Sequence, residues 1–348
     1  MLPDQRPWRE LHWLSLMPDT EVTAIGDRRP LEHVSFARRR YRRPIRRFVE
    51  AGALAWLRDL DTIDGRFDWL TSLELCSLVT GQGADMARER SIPHAVLVWG
   101  NDPRNPLYRL PPYRWALRRA LRADLFLCFI QAARDHCVAL GIPEERCHVV
   151  YPGIDTELFR PAEEPVDEPV LLFSSPLAAN KGVDRVVEAF DLVRRRIPEA
   201  RLRVVGSGPL ERMVRERASE SGGAITVEGP MERSGVADAL RAAAVFVTAP
   251  RPTRVWNEQF GLAYIEAQAS GLPVVTTICG TNHEAVREPN VRVPDDAGAL
   301  ADALVTFLAD PALRARVGTH NRRYAVEHHE IRRQSEAMGR VFRSAEGA

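Results

Sequence analysis

Two glutamates, Glu258 and Glu266, bracket seven residues in the segment 257–275, which reads NEQFGLAYIEAQASGLPVV. Its apolar spacing predicts a helix over 260–270, followed by Ser-Gly-Leu-Pro and a strand from Pro273 to Thr277. At a helical rise of 1.5 Å per residue, eight positions set the two carboxylates about 12 Å apart. That is roughly the span from a nucleotide ribose across its pyrophosphate to an attached sugar. Amides near Phe260, Gly261 and Leu262 fall between the glutamates, where a helix N-terminus favours phosphate. Glu266 can then accept from two ribose hydroxyls and Glu258 from sugar hydroxyls.

A second pointer is a rarity. Of 48 lysines and arginines only one is lysine, Lys181, leaving 47 arginines. A codon-biased genome writes arginine wherever a generic cation serves. A surviving lysine therefore marks a place where a compact ammonium fits and a planar fork does not. Gly206-Ser207-Gly208-Pro209 follows an apolar run and reads as a tight turn, but without a third glycine it is a weak dinucleotide fingerprint on its own. Asp59-Leu60-Asp61 has the form of a metal-binding pair, yet its helical, charge-mixed surroundings read as a solvated face. No metal site is expected.

These residues need a frame. A length of 348 residues exceeds what one core usually serves, so two domains are expected. Hydrophobic residues at 45% and charged residues at 27% describe a globular chain rather than a disordered one. A net charge of +1 gives no global field for nucleic acid, which is not expected as a partner. Five scattered cysteines without a CxxC pair argue for a reducing compartment, with neither a disulfide framework nor a zinc site. No apolar run is long enough to span a bilayer and there is no signal peptide, so a cytoplasmic location is expected.

Along the chain, strands are predicted at 170–174, 201–205, 224–227, 245–248 and 273–277. Helices are predicted at 183–197, 234–243, 260–270 and 299–308. The first half repeats the alternation less cleanly. Its predicted strands lie at 21–25, 67–70, 94–99, 125–129 and 148–151, and its helices at 8–16, 75–90, 113–122 and 131–140. Such alternation implies parallel sheets covered on both faces. The proline- and acid-rich segment 162–169 reads as a linker between a domain over 1–161 and one over 170–328. The remaining 329–348 reads as a helix folding back on the first domain.

With these pieces in order, the chain resembles the retaining glycosyltransferases of family four. The 257–275 string is similar to their nucleotide-sugar signature. His148–Pro161 (HVVYPGIDTELFRP) resembles their strand and turn into the linker, and Asn180-Lys181-Gly182-Val183-Asp184 their donor-phosphate loop. Gly206-Ser207-Gly208-Pro209-Leu210 and the segment 280–286 (GTNHEAV) match two further family segments. The similarity is specific over 148–330, weaker over 66–147 and faint before residue 60. It implies an α/β GT-B fold, two doubly wound Rossmann-like domains facing each other across a cleft. It also implies transfer of a sugar from a UDP- or GDP-sugar to a hydroxyl acceptor, with retention, no metal and no cofactor.

The resemblance makes Lys181 the cation that neutralises the leaving diphosphate. It gives Gly206 and Gly208 to the nucleotide turn and assigns Gly229 and Met231 to holding the base through backbone groups. Where the family usually adds an arginine, this chain has Pro176, and Arg251 and Arg254 are the candidate substitutes. A family histidine near the reacting sugar is replaced by Trp99, so Trp99, Asn101 and Asp102 become the candidate acceptor or sugar contacts, while His94 is read as exposed or structural. The family's opening strand and glycine-rich loop have no counterpart before the first predicted helix. That departure motivates the alternative of a degenerate homologue acting as a binding or scaffold subunit. Finally, Arg38, Arg39, Arg40, Arg42, Arg43, Arg46 and Arg47 crowd ten positions, which suits either a solvated basic face or contact with an anionic membrane surface.

Overall fold

The computed structural model describes residues 9–26, 35–38, 41–42, 56–57, 63, 65–100, 102, 106–164, 166–254 and 256–346. The chain divides into two compact units, one of Met1–Gly153 with Ile331–Ala348 and one of Ile154–Glu330.

In the first unit α1 (Arg9–Ser15) precedes β1 (Thr23–Gly26), which pairs in parallel with β2 (Ser35–Arg38), and β3 (Tyr41–Arg42) pairs antiparallel with β4 (Trp56–Leu57). The main sheet is parallel and runs in chain order: β5 (Leu70–Leu73), β6 (His94–Val98), β7 (Leu125–Cys128) and β8 (Cys147–Val149). Its connections are α2 (Leu78–Arg90), α3 (Pro111–Ala120) and α4 (Gln131–Ala139). The strands β6 and β7 are buried throughout, as apolar runs in a sheet covered on both faces must be. The strand predicted at 67–70 begins later, at Leu70. Pairing starts where Leu70 N donates to Pro93 O at 2.9 Å, while Phe67 packs beside Ile63, Leu70, Met86 and Ala87. The basic residues Arg39, Arg40, Arg43, Arg46 and Arg47, and the pair Asp59 and Asp61, lie outside the described residues. For Arg38 and Arg42 only the backbone is described.

The second unit carries six parallel strands: β9 (Val170–Ser174), β10 (Arg201–Val205), β11 (Ile225–Glu228), β12 (Val245–Val247), β13 (Val274–Thr277) and β14 (Val291–Val293). They stand in the order β11-β10-β9-β12-β13-β14. The chain thus winds outward from β9 in one direction and then outward from β12 in the other. The order reverses between β9 and β12, and in open parallel sheets ligands bind at the carboxyl ends of the strands beside such a reversal. The helices are α5 (Val183–Arg194), α6 (Glu211–Glu220), α7 (Arg233–Arg241), α8 (Leu262–Ala269), α9 (Ala297–Ala309) and α10 (Pro311–His329). The predicted face of α5 is the buried one, with Val183, Val186, Val187, Phe190 and Val193 packed into the core against Leu171, Phe173, Leu300 and Leu304.

The crossover between units falls earlier than the 162–169 linker. Ile154 N donates to His329 O at 2.7 Å, and Arg322 Nη1 donates to Thr156 O at 2.7 Å and Phe159 O at 2.9 Å. Phe159 is fully buried, so 154–161 belongs with the second unit although composition alone changes only afterwards. After α10 the chain returns, and α11 (Ile331–Glu346) packs in the first unit. There Phe342 meets the Trp69 ring at 5.1 Å and Glu346 accepts from the Trp69 indole at 2.8 Å.

His94 opens β6 and is 3% exposed, so it is structural rather than exposed. Its Nε2 lies 2.9 Å from Ser72 Oγ, and its backbone N–H donates to Asp124 at 2.8 Å. Burial pushes the imidazole down to about 4, against the pull of Asp124. Because the unfolded chain binds the proton more readily, stability falls as pH drops through 6.5 and levels off near 4. At pH 5 the loss is on the order of 2 kcal/mol. Urea midpoints of the first unit at pH 7 and pH 5 should therefore separate more in the wild type than in His94→Gln.

Candidate active site at the carboxyl edge of the second sheet

Parallel strands send all their carboxyl ends to one edge, and the expected donor-site residues collect there. Lys181 lies in the loop after β9. Gly206 and Gly208 follow β10, Gly229 and Met231 follow β11, and the stretch after β12 carries Arg251, Arg254 and Glu258. The loops after β9 and β12 are in direct contact. Gly182 has φ +70°, and a Cβ there would stand 1.7 Å from Ala249 O, so only glycine permits the approach. Arg251 N donates to Asn180 O at 3.0 Å across the same contact.

Held in this way, Lys181 Nζ reaches Glu258 Oε2 at 2.7 Å. It also sits 4.4 Å from the centroid of the Trp256 ring, within cation–π range. Both partners are largely shielded, with 23% and 14% of their side chains exposed. Glu258 is seated by the segment after β13: Thr281 N donates to Glu258 O at 2.9 Å, and Asn282 fixes that turn by donating to Thr277 O at 2.8 Å. A Cβ on Gly280 would come within 2.2 Å of Glu258 O.

The helix α8 starts at Leu262, not at 260. Gly261 caps it at φ +81°, where a Cβ would collide with the Tyr264 ring at 2.4 Å. Glu258 therefore lies before the helix and Glu266 within it, and the 12 Å spacing along one axis does not apply. The amides of Leu262 and Ala263, at the first turn, have no intrahelical acceptor. Phe260 is fully buried and secures the turn, while Gly261 and Leu262 are half-buried. Tyr264 fastens the helix from below, its hydroxyl 3.1 Å from both Thr248 Oγ1 and Thr276 Oγ1. Burial pushes its phenol pKa up, so it stays protonated.

Glu266 is 7% exposed, on the buried face of α8. Arg233, the first residue of α7, places Nη1 3.5 Å from Glu266 Oε1 and its guanidinium 5.0 Å from the Phe159 ring. Among the proposed phosphate arginines, Arg251 is committed: Nη2 bonds Asp184 at 2.6 Å and Ala179 O at 3.0 Å. Arg254 is exposed. Gly206, at φ +139°, passes so close to Ser175 O that a Cβ would stand 2.3 Å away, and a Cβ on Gly208 would meet Leu177 O at 2.6 Å. Gly229 has open space around it, and Met231 packs beside Gly235.

Trp256, Arg233, Asp184 and the 280–282 turn complete the site without having been singled out as contacts. Asp184 and the 280–282 turn carried a signal as parts of the 180–184 and 280–286 segments and Trp256 by its nearness to Glu258, whereas Arg233 carried none. In the first unit the Trp99 ring stacks inward, 4.7 Å from Phe129 and 6.2 Å from Trp13, and its indole donates to Glu10 at 2.8 Å. It is therefore part of an aromatic cluster rather than a free wall. Asp102 is half-buried, and Asn101 lies outside the described residues.

Two parallel-sheet units in one chain, one of them doubly wound, define the GT-B class. Residues 12–158 match the family described as Glycosyltransferase Family 4, and residues 168–310 the family described as Glycosyl transferases group 1. Together the two matches span both halves of the chain, which is similar to the family-four glycosyltransferases. It is 28% identical over 251 residues to a GDP-mannose-dependent alpha-(1-6)-phosphatidylinositol monomannoside mannosyltransferase of Mycolicibacterium smegmatis, covering 67% of this chain and 66% of that one. It is 33% identical over 254 residues to D-inositol 3-phosphate glycosyltransferase 1 of Catenulispora acidiphila, covering 64% and 58%. The chain spans about half to two-thirds of the length of the curated relatives it matches. Among solved structures, Anabaena HepE in complex with UDP-glucose superposes with a TM-score of 0.67 at 17% identity, covering 90% of this chain and 86% of that one. Sucrose-phosphate synthase from Thermosynechococcus elongatus gives 0.63 at 22%, covering 81% and 74%.

The contact of Gly182 with Ala249 makes a stability prediction. Gly182→Ala combines left-handed strain with a backbone collision, and should cost at least about 2 kcal/mol. Gly229→Ala, with open space and an ordinary φ, should leave the thermal midpoint within a degree or two of wild type. Equal midpoints for the two variants would contradict the geometry.

Proposed function

We propose that the chain moves a glycosyl group from a UDP- or GDP-sugar to a hydroxyl acceptor, with retention and without a metal ion in the chemistry. The observation that carries this reading is the Lys181–Glu258 contact at the point where the winding of the second sheet reverses, beside the first turn of α8. A cation and free helix amides together suit a diphosphate. The flanking carboxylates suit hydroxyls on either side of it, Glu266 on the ribose and Glu258 on the sugar. The names of the relatives support the donor class, since one is named for GDP-mannose and one structural neighbour holds UDP-glucose. Two relatives are named for inositol-bearing acceptors, so a cyclitol ring is the acceptor class to test first.

In the transfer the bond from the anomeric carbon to the diphosphate oxygen breaks as the acceptor oxygen bonds to the same face. The acceptor proton passes to the departing diphosphate. Negative charge grows on the leaving oxygen, and the Lys181 ammonium strengthens its contact as it does. The protein's part is positioning and electrostatics. A compact ammonium suits this place, where Glu258 and the Trp256 ring flank it.

Lys181→Ala should lower turnover about 10²-fold, or about 3 kcal/mol, with the fold intact. Lys181→Arg should recover only part of that loss; full activity would mean that the lone lysine is an accident of codon use. Glu266→Ala should chiefly weaken nucleoside diphosphate binding by calorimetry, whereas Glu258→Ala should chiefly lower turnover. Because Lys181 and Glu258 touch, the double variant should lose less turnover than the product of the two single losses. Calorimetry that shows no binding of UDP or GDP to the full chain would overturn the enzyme reading.

A further inference from the structure

The 148–161 motif ends, from Asp155 to Phe159, in a turn that is made locally. Asp155 Oδ1 accepts from Glu157 N at 3.0 Å and from Leu158 N at 2.9 Å, and Phe159 N donates to Asp155 O at 3.0 Å. An aspartate that bonds the backbone just beyond itself fixes the direction the chain then takes. Here it delivers the Phe159 ring into the interior, where the residue is 1% exposed.

Three arginines from two helices converge on this turn. Arg322 of α10 donates through Nη1 to Thr156 O at 2.7 Å and Phe159 O at 2.9 Å, and also to Ala269 O, at the last residue of α8, at 3.2 Å. Arg241, the last residue of α7, donates to Leu158 O at 3.1 Å. Arg233, the first residue of α7, sets its guanidinium carbon 5.0 Å from the centroid of the Phe159 ring, within cation–π range. The turn is thus a shared pedestal for both ends of α7 and for the end of α8. From that pedestal Arg233 continues to a carboxylate of the site, with Nη1 3.5 Å from Glu266 Oε1.

The two partners differ in exposure. The Glu266 side chain is 9% exposed and that of Arg233 43%, so the cation stands nearer the solvent than the carboxylate it pairs with. A carboxylate this shielded stays ionised and keeps one orientation only with compensating charge or donors beside it. The contact is longer than a close hydrogen bond, so it orients the carboxylate without saturating it. A planar guanidinium can lie on the ring and still point a nitrogen at Glu266, which an ammonium cannot do.

We propose that Arg233, seated on the Phe159 ring, is a positioning residue for ribose: it aims Glu266, and the preference for a ribonucleoside over a 2′-deoxyribonucleoside diphosphate depends on it. This rests on the assignment of Glu266 to the ribose hydroxyls given above.

The test is calorimetric titration of UDP, GDP and their 2′-deoxy counterparts into the full chain, read as the ratio of ribo to deoxy affinity. The wild type should favour the ribo form about tenfold or more, the worth of one charge-assisted hydrogen bond. Glu266→Ala should abolish the preference, with Glu266→Gln taking its place where the alanine variant fails to fold. Arg233→Ala should cut the ratio at least about threefold, and combined with the Glu266 variant it should lower the ratio no further. Arg233→Lys should recover only part of the ratio; full recovery overturns the role of the Phe159 seat. A general loss of packing would weaken both nucleotides alike and leave the ratio unmoved. An unmoved ratio in Arg233→Ala, where removing Glu266 does abolish it, overturns the inference and leaves the ribose assignment standing. A ratio that survives the loss of Glu266 overturns that assignment and the inference with it.

Discussion

The second unit depends on a contact that exists because an atom is missing. The loops leaving β9 and β12 belong to the two halves of a doubly wound sheet, and they emerge side by side because those two strands pair. They meet because residue 182 has no Cβ to collide with the carbonyl of Ala249. Once they meet, the rest of the site has little freedom. Arg251 closes the junction through Asn180, Ala179 and Asp184. The helix α5 starts immediately beyond Gly182, and Lys181 is left facing the loop that carries Glu258. A shielded ammonium and carboxylate 2.7 Å apart are stable only with rigid support on both sides. The 280–282 turn supplies it for the carboxylate and the Gly182 junction for the ammonium.

The two glutamates are consequently different kinds of group. Glu258 sits before a helix on an irregular stretch, paired to a lysine and held through its backbone. Glu266 is buried inside α8, a helix fastened through the Tyr264 hydroxyl to Thr248 and Thr276, with Arg233 approaching its carboxylate. One is placed by loops and the other by a packed helix. Displacing either requires disturbing a different part of the unit.

Much of this was legible in the sequence where the chain is buried on both sides. The strands Val170–Ser174 and Arg201–Val205 have the predicted bounds, because Leu171–Phe173 of the one and Leu202, Val204 and Val205 of the other are the buried apolar residues that mark them. The lone lysine and the Glu-x7-Glu string picked out Lys181 and Glu258, which the structure brings into contact. What could not be read was whatever depends on a partner distant in the chain. The pairing of Arg233 with Glu266, the seat of Glu258 on residues 280–282 and the inward stacking of Trp99 on Phe129 leave no local pattern. The start of α8 was misplaced for a related reason. Periodicity runs on through Phe260, which is buried, and does not register that Gly261 turns the backbone left-handed. The crossover was misplaced because proline and acidic residues mark solvent, whereas Phe159 and the carbonyls bound by Arg322 mark which unit the chain has joined.

The first unit is assembled from both ends of the described chain, with Ile154–Glu330 inserted between. This has a consequence for biosynthesis. A ribosome delivers the whole of the inserted unit before it delivers α11, whose Phe342 and Glu346 close over Trp69. The part that emerges first is thus the part completed last. During translation the Trp69 surface that α11 covers waits while the second unit's parallel sheet is delivered downstream. Vectorial folding here runs against the direction of the chain, and a ribosome that stalled after α10 would release a finished second unit attached to an unfinished first one.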